Sequence, residues 1–235
     1  MASKPVLIMI RTNVPPEMES EWNKWYDSQH IPVRLDNAPG FISARRFETI
    51  DDNPKYLTLY DLAGETALTS APYLKIRETE DALPPESFEA MTPRLPDFSR
   101  RLFEQIYPEQ EAYRMPDAEI LFVVAHDVPP EKEDEFNAWY NTEHIPIMLE
   151  RVPGFITARR FVAVQPQLPP RVSDWLIRPK YLTLYDLASE DVLQSDVFLK
   201  ETHSPWSSWV RSWYTKQWRF LARCIFRGEG GVPPG

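Results

Sequence analysis

Trp22-x-x-Trp25-Tyr26-x-x-x-His30-Ile31-Pro32, followed by Pro39-Gly40-Phe41 and Arg45-Arg46-Phe47, decides the fold of this chain because it occurs twice. The second copy reads Phe136-x-x-Trp139-Tyr140-x-x-x-His144-Ile145-Pro146, then Pro153-Gly154-Phe155 and Arg159-Arg160-Phe161, offset by 114 positions (His30 to His144). Each copy leads into the block Lys-Tyr-Leu-Thr-Leu-Tyr-Asp-Leu, at Lys55 to Leu62 and at Lys180 to Leu187, where the offset has grown to 125. Two copies are too few for a solenoid or a propeller, so the reading is a duplicated domain.

Within the motif, Met18, Trp22, Trp25 and Tyr26 recur at helical spacing, which predicts a helix from Glu17 with this face buried. Acidic residues in its first turn suit the positive end of the helix dipole. Pro32 predicts a kink or an end near His30, because the residue before proline avoids the helical region. Pro39-Gly40 marks a turn, and Phe41 to Ile50 and Tyr56 to Leu62 read as strands. In the latter, Tyr56, Thr58 and Tyr60 share one face and Leu57 and Leu59 the other. The leucine face is expected to take the helices, and the aromatic, polar face to wall a cavity.

Working outward, Val6 to Arg11 reads as a buried strand before Pro15-Pro16, and Glu65 to Arg77 as a helix. Glu80 to Phe98 is proline-rich, with a short helix expected around Glu86 to Met91, and Arg101 to Tyr107 is a closing strand. The order strand, helix, strand, strand, helix, strand is ferredoxin-like. After a linker at Pro108 to Pro116 it recurs: strand Glu119 to Asp127, helix Glu131 to Glu150, strands Phe155 to Val164 and Lys180 to Leu187, helix Glu190 to Leu199, strand Arg219 to Phe226. Residues 1–112 are therefore read as the first ferredoxin-like unit, 113–228 as the second, and 229–235 as a disordered Gly/Pro tail. The second half adds a longer loop at 165–179, with Pro169-Pro170 and Trp175, readable as a lid or as a disordered insertion. It also adds Trp206, Trp209 and Trp213 at helical spacing, where a core stripe is the favoured reading over a ligand platform.

The formal net charge of −9 argues against a nucleic-acid partner. A single cysteine, Cys224, excludes an internal disulfide, fits a reducing compartment and is expected to be a small buried hydrophobe. With no apolar run long enough to span a bilayer and no signal-peptide pattern, a soluble cytoplasmic protein without a membrane partner is expected. There is no Gly-x-Gly-x-x-Gly between strand and helix, no phosphate loop, no His-Glu-x-x-His, no cysteine cluster and no Gly-x-Ser-x-Gly elbow. No metal and no cofactor are expected. A homodimer of the whole chain is compatible with the sequence.

The spacing Trp-Tyr-x-x-x-His-x-Pro, then Pro-Gly and an aromatic, resembles the EthD-like families of the dimeric α+β barrel superfamily. It is carried by Trp25-Tyr26, His30, Pro32 and Pro39-Gly40-Phe41, and by Trp139-Tyr140, His144, Pro146 and Pro153-Gly154-Phe155. The resemblance implies an α+β fold in which two tandem ferredoxin-like units form an intramolecular dimeric α+β barrel. That superfamily holds dehydratases, polyketide cyclases, lactone isomerases, cofactor-free monooxygenases and haem-binding members.

The chemistry rests on four histidines, His30, His126, His144 and His203. His30 and His144 each follow a tyrosine, Tyr26 and Tyr140, by four residues and can share its helix face. One reading is a general acid or base in a cavity; the other is a structural histidine bonding a carbonyl where proline breaks the helix. Three histidines lie in the second half, which makes it the expected working site, with His144, His126 and Tyr185 as catalytic candidates. His126 stands where the first copy has Thr12; a solvent-exposed strand-end histidine is its alternative reading. Tyr140, Arg159, Tyr181 and Trp206 are substrate-binding candidates, with Arg160 the alternative to its neighbour Arg159. His30, Tyr26 and Tyr60 are the first-copy equivalents. The expected function is cofactor-free acid-base chemistry (dehydration, cyclisation or isomerisation) on a hydrophobic aromatic or polyketide-like small molecule. The alternatives are a non-catalytic hydrophobic-ligand or haem-binding protein and a cofactor-free monooxygenase.

Overall fold

Of the two outcomes expected at Pro32, a kink or an end near His30, the helix takes an irregular turn there and does not end. In the computed structural model, which describes residues 4–109, 114–165 and 179–231, β1 (Val6–Thr12) is followed by α1 (Glu19–Trp25), a π-helical turn (Tyr26–His30) and α2 (Ile31–Asn37). Proline lacks an N–H and its ring collides with the carbonyl four residues back in an α-helix. The wider turn absorbs this: the Ile31 N–H reaches back five residues to the Tyr26 carbonyl, and Pro32 sits in the first turn of α2. Such single π turns recur at functional sites.

The chain continues through β2 (Phe41–Thr49), β3 (Tyr56–Leu62), α3 (Ala71–Asp81), α4 (Phe88–Met91) and β4 (Ser99–Tyr107). The second half repeats the order with β5 (Ile120–Asp127), α5 (Glu133–Trp139), a π turn (Tyr140–His144), α6 (Ile145–Arg151), β6 (Phe155–Val164), β7 (Tyr181–Leu187), α7 (Asp196–Glu201), α8 (Pro205–Arg211) and β8 (Lys216–Glu229). Its π turn has the same bond, Ile145 N–H to the Tyr140 carbonyl. The fold is α+β, and the eight strands make a closed antiparallel barrel in the order β1-β3-β2-β8-β5-β7-β6-β4. By contacts the described chain divides into unit 1, residues 4–105, 164–165 and 224–231, and unit 2, residues 106–109, 114–163 and 179–223. The division cuts β4, β6 and β8. The bulk of the 165–179 loop, including Trp175, lies outside the described residues, as does residue 232 onward.

In unit 1, β3 pairs with β1 and β2, and β1 with β4, all antiparallel. In unit 2, β7 pairs with β5 and β6, and β5 with β8. The helices do not cover the leucine face of β3. They pack on the Tyr56, Thr58, Tyr60 face: the Tyr56 hydroxyl donates to Glu19 and accepts from Asn23, both on α1. Leu57 and Leu59 are buried on the opposite face. The aromatic face thus serves both as helix seat and as cavity wall, because each Tyr side chain is amphipathic. The tryptophan stripe on α8 is not core either. Trp209 is 55% exposed, and Trp206 and Trp213 are only partly buried against the unit 2 core. Cys224 is half-buried, with Arg227 donating to its sulfur.

Gly40 and Gly154 follow α2 and α6 with φ of +87° and +96°, a region where a side chain is strained. A Cβ at Gly154 would also collide with Val192 Cγ2, and one at Gly40 would meet the Ala67 Cβ at 2.9 Å. Gly154→Ala is therefore expected to destabilise the protein by about 1–3 kcal/mol, read as a lower urea midpoint with unchanged slope.

Candidate functional site

Each unit encloses a cavity between its π turn, its sheet and the following helices, of about 70 Å³ in unit 1 and about 60 Å³ in unit 2. That is room for a few water molecules or one end of a larger molecule. The π turn sets the walls. With an extra residue in the turn, the histidine ring meets both preceding aromatics. His30 lies 4.8 Å from Trp25 and 4.5 Å from Tyr26, centroid to centroid. His144 stacks on Trp139 at 4.6 Å and 19° and stands edge-on to Tyr140 at 5.2 Å.

A buried arginine holds each turn against the sheet. Arg46 on β2 donates to Asn23 Oδ1 on α1 and to Asp27 Oδ1 in the turn, both at 2.5 Å, and lies over the Tyr26 ring. Arg160 on β6 donates to Asn137 Oδ1 at 2.7 Å and Asn141 Oδ1 at 2.6 Å and lies over the Tyr140 ring at 4.3 Å. The geometry is the same, but the charge is not. Asp27 neutralises Arg46, whereas Arg160 has two neutral amides. Burial lowers the Arg160 pKa to about 10.

The unit 2 cavity brings together His126, His144, Tyr140 and Tyr185, four of the residues expected from sequence. His126 is 1% exposed, which overturns its reading as a solvent-exposed strand-end residue. It bonds Gln217 Nε2 at 3.0 Å and packs on Tyr214 at 4.2 Å. Three expected residues stand apart. Arg159 faces the other side of the sheet over Phe161, so Arg160 is the helix-side member of the pair. The Tyr181 hydroxyl accepts from Asn137 beyond the cavity wall, and Trp206 packs against the core without lining the cavity. His203 bonds the Leu199 carbonyl at the end of α7, a structural role. In unit 1, His30, Tyr26 and Tyr60 line the cavity together.

The cavity also holds Arg211, at the end of α8, with Tyr214 and Gln217 just after it. Sequence reasoning missed all three; they follow the tryptophan stripe, and no local pattern marks them. Burial, with Arg160 and Arg211 nearby, lowers the His126 pKa to about 3. Burial, followed by Arg211, His126 and Arg160, does the same to His144. Both imidazoles are neutral at pH 7. Burial pushes the Tyr185 phenol well above its usual 10, so it is a donor, never a phenolate, at neutral pH. His144 makes no hydrogen bond to any described residue, and the buried Tyr185 hydroxyl lies against that of Tyr140.

His30 is held differently. Arg34 Nη1 lies 3.2 Å from its Nδ1 and donates to its carbonyl at 2.8 Å. Arg34 Nη2 donates to Glu80 Oε1 at 2.7 Å. The position equivalent to Arg34 is Met148, 114 residues on.

No family model matches the chain, and no curated relative is found. Among solved structures, the chain is similar to a protein provisionally named a monooxygenase from Fusobacterium nucleatum subsp. nucleatum, with TM-score 0.62 and 10% identity, covering 99% of this chain and 97% of that one. An anthrone oxidase-like protein also gives TM-score 0.62, at 13% identity over 98% and 96% of the two chains. A second provisionally named monooxygenase, from Lactobacillus acidophilus NCFM, gives 0.60 at 7% identity over 97% and 98%. These likenesses establish the dimeric α+β barrel fold. Among the described residues no helix is long and apolar enough to cross a membrane.

The two neutral histidines predict a pH effect on stability. Unfolded, each takes up a proton near pH 6.5; folded, only near 3. The unfolded state therefore binds more protons in that window, and stability falls as pH drops from about 6.5 towards 3. His126→Phe should remove up to about 1.4 kcal/mol per pH unit from that slope, measured by urea unfolding at pH 7, 6 and 5.

Proposed function

We propose that unit 2 carries a cofactor-free active site in which His144 removes a proton from a hydrophobic small molecule. The observation behind this reading is the asymmetry of the two histidines. In unit 2 the imidazole is neutral, sits in a cavity and bonds to nothing in the described chain. In unit 1 the guanidinium of Arg34 stands against Nδ1. A base needs an open lone pair, and His144 is the better placed to offer one. Tyr185 and Tyr140 are then the donors for the enolate or phenolate oxygen that forms, with His126 holding Gln217 and Tyr214 in the wall.

The spacing Trp139-Tyr140-x-x-x-His144-x-Pro146 and its first copy support an EthD-like membership and a tandem duplication. Proton removal from carbon or oxygen opens a dehydration, a cyclisation or an isomerisation. It also opens oxygenation: the carbanion adds to O₂, the peroxide takes the proton back, and loss of water leaves a carbonyl, with no outside reductant. The names of the neighbours favour oxygenation. A haem-binding role has less support. His144 lies flat on Trp139, and a cavity of about 60 Å³ would have to open widely for a macrocycle, since ligand pockets span roughly 300–1,000 Å³. The same bound means that a polycyclic substrate enters by one edge only.

Oxygen uptake with 1,8-dihydroxyanthrone as probe tests the reading. His144→Ala is expected to lower kcat/KM by roughly 10²- to 10⁴-fold, while His30→Ala leaves it near wild type. Undiminished turnover in His144→Ala would refute the assignment. Product formation without oxygen would favour the isomerase form, and a Soret band in purified protein the haem form.

A further inference from the structure

Three carboxylates serve the first cavity and its arginine clamp, and the second copy lacks all three. Asp27 pairs with Arg46 at 2.5 Å; its equivalent is Asn141. Glu80 pairs with Arg34 at 2.7 Å; 125 residues on, beyond the aligned N-caps Ser70 and Ser195, stands Pro205. Glu89 accepts from the Trp25 indole N–H at 2.9 Å. The matching Trp139 is 1% exposed, lines the unit 2 cavity, and its Nε1 has no hydrogen-bond partner among the described residues.

The cations, by contrast, remain. Arg160 lies under Tyr140, and Arg211 enters from α8; among the described residues no carboxylate pairs with either. Arg219 also lines the cavity, and among the described residues no Asp or Glu does. A cavity with guanidinium charge that no described carboxylate meets and an orphaned buried indole N–H is short of an acceptor with negative charge. The other walls include Phe122, Phe155 and Phe198, with Met148 and Thr202.

We propose that unit 2 binds a small aromatic carboxylate, whose carboxylate accepts from Trp139 Nε1, as Glu89 does from Trp25, and is neutralised by Arg211. This names the substrate class of the site proposed above and rests on that reading. Its charge would also restore proton affinity to His144, so the base becomes competent when the ligand is in place.

Calorimetric titration of the full chain with benzoate and with benzamide, an uncharged molecule of nearly the same shape, tests this. Benzoate is expected to bind at least roughly tenfold more tightly, with a preference that shrinks as salt rises. Arg211→Met should abolish the preference while leaving benzamide affinity near wild type. Trp139→Phe, which keeps the ring and removes the N–H, should weaken benzoate several-fold. His144→Gln should stop turnover and keep the preference, so failure of the catalytic reading and failure of this one are told apart. Equal affinity for the two probes, or no benzoate binding, in the wild-type protein overturns the proposal without any variant. So does a preference that survives Arg211→Met. Should that variant not fold, Arg211→Lys, which keeps the charge and loses the planar fork, is expected to retain only part of the preference, and full retention counts against Arg211.

Discussion

The guanidinium buried between helix and sheet is the interaction on which each unit depends. Arg46 and Arg160 are 0% and 1% exposed. Taking such a charge out of water costs several kcal/mol unless its donors are met. Two side-chain oxygens four residues apart, Asn23 and Asp27 or Asn137 and Asn141, meet it on one side, and the face of a tyrosine meets it on the other. Those partners straddle the start of the π turn. The clamp therefore fixes the turn against the strand, and the turn fixes the histidine against its two aromatics. Replacing the arginine would take the donors from these part-buried oxygens as well as removing the cation.

One scaffold then supports two electrostatic outcomes. In unit 1 two of the cations at the cavity have a carboxylate, Asp27 for Arg46 and Glu80 for Arg34, and Arg77 and Arg100 line it as well. In unit 2 the clamp carries neutral amides, Met148 replaces the second arginine, and the acids are gone. Desolvation and uncompensated positive charge act in the same direction on His126 and His144, and both stay neutral well below pH 7. A neutral imidazole in a cationic pocket is a weak base on its own and a stronger one beside a bound anion, which links binding to chemistry in a single site.

Much of this was legible in the chain. The repeat, the strand and helix order, and the pairing of Tyr140 with His144 on one turn follow from local spacing, because periodicity fixes which side chains share a face. Pro32 marked an irregularity near His30, as expected, but not an end, since a π turn lets a helix run through a proline that an α-helix would reject. The leucine face of β3 misled. Apolar periodicity says that a face is buried but not against what, and the tyrosine face, with hydroxyls that reach Glu19 and Asn23, was the helix seat. The α8 stripe repeated the lesson: helical spacing of Trp206, Trp209 and Trp213 holds, yet Trp209 stays exposed.

The sequence by itself determined the ferredoxin-like order of each half and placed a histidine and a tyrosine on one turn of each, because both depend on contacts a few residues apart. Only the tertiary structure decided the character of the second cavity. Arg211, Tyr214 and Gln217 come to His144 from some 70 positions down the chain, and the side facing of Arg159 and Arg160 depends on the bulge early in β6. Charge balance in a cavity is a sum over groups that distant segments deliver, and no local pattern carries that sum.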